Sequence, residues 1–96
     1  MTYYVTCITK YPNHQDPRHR ITAIGTTTIP GSSQRTKLWA ATDVVEAIDS
    51  GRDTFWCTDR RGDRVRVITV PHLGGKYLKT ENDGITQDNL LAQRDC

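Results

Sequence analysis

The sequence predicts an α+β domain: a small twisted, mostly antiparallel sheet of about five strands with one short helix packed on it. Three observations carry this. Stretches rich in β-branched and aromatic residues recur at "TYYVTCITKY", "RITAIGTTT", "DTFWCT", "RVRVITVP" and "KYLKTEN", residue types that suit a pleated surface. The hydrophobic period changes once, in "LWAATDVVEAIDSG", where Leu38, Val44, Val45 and Ile48 fall along one helical stripe. The chain is also short and polar, with 96 residues of which 35% are hydrophobic and 25% charged, so one domain spanning residues 1–96 with a thin core is expected.

Taken in order, the first strand sets Tyr3, Val5, Cys7 and Thr9 on one side and Tyr4, Thr6, Ile8 and Lys10 on the other. "PNHQDPRHR" has prolines and no apolar residue, which marks an exposed loop, and the strands on either side of it are expected to pair antiparallel. Turn formers in "IPGSSQRTK" predict a flexible loop over residues 31–37. In the helix, Asp43 and Glu46 lie near the positive amino end, Thr42 or Ala40 is the cap, and Gly51 is placed to stop it. "DRRGD" reads as a hairpin turn with Gly62 in the left-handed conformation. Val65 and Val67 share a face while Ile68 and Val70 take the other, so a bulge, or a change from half to full burial, is expected there. The closing residues 80–96 are expected to fold back on the core as a tail, burying Leu90 and Leu91 at about 1.5–3 kcal/mol for each side chain fully removed from water.

Formal charge is +2, but "RRGDRVR" concentrates four arginines in seven residues. No charged lead followed by an apolar stretch is visible at the amino end, and no apolar run is long enough for a membrane span. Cys7, Cys57 and Cys96 form an odd set without CxxC spacing, so neither a disulfide framework nor a zinc ribbon is predicted. A cytoplasmic location is the expectation.

The helix "WAATDVVEAIDSG", the aromatic strand "TFWCT", the hairpin "RRGDRVRVITV" and above all "YLKTENDGITQDNLLAQRDC" resemble the bacterial domain of unknown function 3892 family. The resemblance runs from about Ile21 to Cys96. Members usually carry serine or threonine directly after the tryptophan and often a proline shortly before the terminal cysteine, where this chain has Ala40 and "AQRDC". The resemblance implies a small domain found singly in bacteria and their mobile elements, and it brings no activity, cofactor or site residue with it.

Several kinds of chemistry fail on spacing. Placing Gly84 at the glycine of a calcium loop puts Lys79 first and Leu90 last, so the charged ligands are missing. His14, His19 and His72 lack the spacing of a metal site. Ser32, Ser33 and Ser50 belong to no nucleophile elbow, and "LGGK" is not a phosphate loop. A reactive Cys96 thiolate would need nearby positive charge, for which Arg94 is the only sequence neighbour. A chain of this size also offers little depth for a pocket that would retune carboxylates. The expectation is a protein that is not an enzyme, with no catalytic residues, no metal and no cofactor.

What remains is the basic hairpin. Burying Val65 and Val67 turns Arg64 and Arg66 to solvent on one side. Arg60 and Arg61 crown the turn, and Lys76 and Lys79 lie on the following strand. Such a row suits a polyanion, nucleic acid or a phosphate-containing ligand, with Trp56 as a recognition aromatic if it faces water. Asp59 and Asp63 flank the cluster, which equally fits a solvated face of weak ion pairs. The alternative is a protein–protein inhibitor or adaptor, for example a mobile-element protein blocking a bacterial defence complex, docking through Tyr3, Tyr4 or Trp56.

Overall fold

The structure is a computed structural model and describes residues 1–10, 21–32, 34–59, 61–72, 74–81 and 88–96. Its elements are β1 (Thr2–Lys10), β2 (Ile21–Thr27), β3 (Lys37–Ala40), α1 (Ala41–Asp49), β4 (Thr54–Thr58), β5 (Arg64–His72), β6 (Gly75–Thr80) and a single turn, α2 (Asp88–Leu91). The sheet runs in the order β3-β2-β1-β4-β5-β6. All neighbours are antiparallel except the central pair, β1 and β4, which is parallel.

The fold is therefore α+β, with two corrections. The sheet has six strands rather than five, and it is mixed. The additional strand is β3, four residues that run directly into α1 and so read as the head of the helix in sequence. Leu38, expected on the helical stripe, is 52% exposed on that edge strand. Trp39 points the other way, into the core, where its indole N–H donates to the Thr26 hydroxyl at 3.0 Å.

One face of the sheet carries α1. Val44 and Ala47 of the helix are fully buried against Val5, Ile24, Trp39, Phe55, Val67 and Leu78. At the centre Tyr3, Trp39 and Phe55 pack mutually, Trp39 edge-on to Phe55 at 5.1 Å and Tyr3 stacked on Phe55 at 5.4 Å, geometries that the ring quadrupoles favour. Ala40 is the N-cap of α1 and makes no side-chain cap bond, so burial rather than capping holds the helix. Gly51 ends it at φ 74°, where a side chain would be strained.

The hairpin between β4 and β5 is organised by Asp59. Its carboxylate accepts the backbone N–H groups of Arg61 and Asp63, each at 2.9 Å, and Gly62 takes φ 87°. The expected bulge in β5 is absent, since both of its ladders run without a shift. The irregularities lie in β1 instead, between Val5 and Cys7 and between Thr9 and Lys10. Apolar residues on both sides of β5 reflect a strand that changes partner, β4 up to Arg66 and β6 from Val67 onward.

Residues 88–96 close the structure. Leu90 is fully buried, and Asn89 donates to the Thr80 hydroxyl at 2.9 Å. Beyond α2 the chain runs beside β1, where the Ile8 N–H donates to the Arg94 carbonyl and the Cys96 N–H to the Ile8 carbonyl, both at 2.9 Å. Cys7 and Cys96 form a disulfide, and Cys57 is buried and outside any disulfide. This corrects the expectation drawn from cysteine spacing: the partners are 89 residues apart, and only the tertiary path brings them together. The loop expected at "PNHQDPRHR" lies outside the described residues.

Candidate functional site

The candidate site occupies the sheet face opposite α1. Alternation along β5 sends Val65 and Val67 toward the helix and leaves Arg64 and Arg66 exposed on the other side. On β4 the same alternation buries Phe55 and Cys57 and turns Trp56 outward, directly opposite Arg66. The parallel pairing then sets Tyr4 of β1 beside Trp56. A row Tyr4, Trp56, Arg66 thus crosses three strands, with Arg64 one step along.

The cations lie over the rings. The Arg64 guanidinium sits 5.1 Å from the Tyr4 centroid and that of Arg66 5.9 Å from Trp56, within the range of cation–π attraction. Both rings are partly buried and both guanidiniums exposed. Among the described residues, neither arginine has an ion pair or a side-chain hydrogen bond. The β2–β3 connection overhangs this face, so that Gly31 and Ser32 join Tyr4, Thr6, Trp56 and Arg64 around a shallow groove of about 200 Å³. Beyond Arg66, β4 and β5 part, and a second groove of about 290 Å³ opens there, lined by Asp53, Arg66 and Glu81 among others. Of its carboxylates, Asp53 is paired with the Met1 amino group at 3.3 Å and the Arg52 Nε at 2.9 Å.

The family model for "Protein of unknown function (DUF3892)" matches residues 4–92. The chain belongs to that family. In this DUF3892 member the match begins earlier than the resemblance seen in sequence and takes in β1, including Tyr4; Trp56, Arg64 and Arg66 also fall within it. Neither a curated protein nor a solved structure matches the chain significantly.

The remaining sequence candidates are distributed differently. Arg61 stands at the hairpin turn, 3.8 Å from Asp59, and Arg60 lies outside the described residues. Lys79 is opposite Ile68 and therefore on the arginine side, farther along the sheet and partly buried. Lys76 is a correction to the expected cluster: it bonds to Asp49 at the end of α1, on the helix side, because β6 turns Lys76, Leu78 and Thr80 the same way. Asp49 also accepts from the Thr69 hydroxyl at 2.7 Å. The bond from Lys76 first, and that from Thr69 second, hold the Asp49 carboxyl below its ordinary pKa.

Two features escaped the sequence reading. Tyr3 and Tyr4, both expected docking residues for a protein partner, lie on opposite faces: Tyr3 packs against the core and Tyr4 supports Arg64. The strand alternation separated the two tyrosines, but nothing local foretold the parallel β1–β4 pairing. The second feature is the Cys7–Cys96 bond. Among the described residues there is no cluster of side chains fit to hold a metal ion, and no helix is long and apolar enough to cross a membrane.

Proposed function

We propose that this chain is a non-enzymatic binding module whose sheet face opposite α1 takes a polyanion, nucleic acid or another phosphate-bearing ligand. The observation that carries the reading is the pair of guanidiniums, Arg64 over Tyr4 and Arg66 over Trp56, exposed on one face without carboxylate partners among the described residues. A guanidinium resting on a ring keeps its edge N–H groups for phosphate oxygens, and the ring holds it in place at small entropic cost. Trp56 and Tyr4 add apolar surface on which a base can stack. Lys79 extends the positive strip, and Arg61 completes it at the hairpin. The cytoplasm, where such ligands abound, is the compartment in this reading.

The test is anisotropy of a labelled single-stranded oligonucleotide titrated with the full chain at several salt concentrations. Affinity is expected to fall steeply with salt, and the double variant Arg64→Ala/Arg66→Ala to lower the log–log slope by about 1.4, near 0.7 per phosphate contact removed from a single strand. No saturable binding at low salt, or a slope indifferent to both substitutions, would sink the reading.

A second reading, a protein–protein inhibitor or adaptor, draws on β3. That edge strand presents Leu38 at 52% exposure, with Ile29 at 63% exposure on the connection before it, a surface that suits strand addition by a protein partner. Binding of that kind would persist in moderate salt and be abolished by Leu38→Asp, which should leave oligonucleotide binding intact.

A further inference from the structure

The Cys7–Cys96 bond lies on the same side of the sheet as Tyr4 but farther along β1, and has its own surroundings. Cys7 is 2% exposed whereas Cys96 lies at the surface. A cleft of about 310 Å³ reaches the pair and is lined by Cys7, Arg35, Arg94, Asp95 and Cys96. Asp95 is turned toward Lys10, 4.0 Å away, and the Arg94 Nε donates to the Thr6 carbonyl at 3.2 Å. Gly25 makes the site possible: a Cβ there would lie 2.4 Å from the Cys7 sulfur and 2.8 Å from the Arg35 Cδ. The Arg35 stem and the Cys7 sulfur therefore cross at one point above a glycine, where no larger residue fits.

We infer that the Cys7–Cys96 disulfide is an exchange site for a low-molecular-weight thiol, with Cys96 receiving the incoming sulfur and Cys7 leaving, and that its opening unlatches the tail from β1. The assignment follows from access and charge. An incoming thiolate reaches Cys96, the exposed partner, through the cleft, whereas Cys7 is almost wholly buried. The S–S bond breaks as the new S–S bond forms, and Cys7 departs as a thiolate in the cleft that Arg35 also lines; positive charge near a leaving thiolate speeds its departure. A second thiolate then attacks the mixed disulfide at the sulfur of the first thiol. Two small thiols are thereby oxidised to their disulfide, and their protons end on Cys7 and Cys96.

The structural consequence follows from the ladder. β4 pairs with β1 only from Thr2 to Tyr4, and farther along, at Ile8, its place is taken by the tail. With the covalent link gone, the terminal residues Arg94–Cys96 keep few bonds to the sheet, and the Ile8 N–H and C=O become a free strand edge. Leu90, buried independently of the bond, keeps α2 in place. This device owes nothing to the polyanion reading and stands or falls separately from it.

The experiment is equilibration of the full native chain in buffers of reduced and oxidised glutathione, followed by acid quenching, peptide mass mapping and amide hydrogen exchange. The expected result is reversible reduction without denaturant, with faster exchange at the Ile8 amide and unchanged exchange in α1. Cys7→Ser should accumulate a glutathionyl adduct on Cys96, and Arg35→Ala should slow reduction of the wild-type bond roughly threefold to tenfold. A bond that resists a large excess of glutathione until urea unfolds the chain would overturn the inference. So would an adduct mapping to Cys57, reduction that leaves Ile8 exchange unchanged, or a rate indifferent to Arg35. The wild-type exchange measurement decides the matter even if Cys7→Ser fails to fold.

Discussion

The two faces of the sheet use the same pair of interacting groups to different ends. On the helix side the Lys37 ammonium lies 3.7 Å from the Trp39 ring centroid, and that ring is buried among Tyr3, Phe55 and the Thr26 hydroxyl. On the opposite side Arg66 lies over Trp56 and Arg64 over Tyr4; the cations are exposed on both sides, but these rings are only partly buried. The difference is what covers the ring. Where α1 and neighbouring rings enclose it, the cation caps a core and belongs to stability. Where only a short connection overhangs it, the cation keeps its donors for something outside.

Adjacent residues on β4 give the sharpest way to break this comparison. Phe55 is fully buried, so Phe55→Ala should cost about 3–5 kcal/mol in urea unfolding. Trp56→Ala should cost much less than that, although the side chain is larger, and should instead weaken oligonucleotide binding. Comparable losses of stability from both substitutions would mean that the second face is also a core.

The next largest effect concerns how that second face is closed. Cys96→Ser removes a cross-link between residues 89 apart and should lower stability by about 2–4 kcal/mol. Wild-type protein unfolded under reducing conditions should match the variant. If reduction leaves the urea midpoint unmoved, the tail is held by Leu90 and its hydrogen bonds alone.

On the helix side, Thr26→Val retains shape but strips the acceptor from the Trp39 indole N–H. A buried donor without a partner costs about 1–3 kcal/mol, measurable as a shift in midpoint with the oligonucleotide affinity unchanged. A loss of affinity here would show that the two faces are not independent.

How much of this was legible in the sequence depended on range. Period and turn chemistry located β1, β2, β4, β5, β6 and α1, because alternation, the helical stripe and Gly51 and Gly62 act within a few residues. β3 was hidden because four residues joined directly to a helix carry no period of their own, and a tryptophan suits either element. The arginine face was readable because Arg64 and Arg66 alternate with valines whose burial decides their direction. Lys76 was misplaced because the direction of β6 is set by its register with β5, His72 opposite Gly75 and Pro71 opposite Lys76, which no local pattern specifies. The disulfide and the parallel β1–β4 pair were the least legible, since both depend on the path of the whole chain.

The smallest expected effect tests whether Lys76 belongs with the helix face rather than with the other cations. Asp49 closes α1, where the helix dipole disfavours a carboxylate, and the bonds from Lys76 and Thr69 make it acceptable there. Its pKa is lowered in the folded chain, chiefly by the Lys76 bond, so the unfolded chain binds the proton more readily. The stabilisation is therefore complete above the ordinary carboxylate range and is lost as pH falls through the lowered value. Wild type should exceed Asp49→Asn in urea midpoint near neutrality, and the gap should close in acid. Lys76→Ala leaves the carboxylate at the negative end of the helix with the Thr69 hydroxyl but no cation, so its midpoint should fall further than that of Asp49→Asn at neutral pH. The same variant should leave the salt slope of oligonucleotide binding unchanged, since Lys76 faces away from Arg64 and Arg66; a slope lowered by about 0.7 would return it to the anion-binding face.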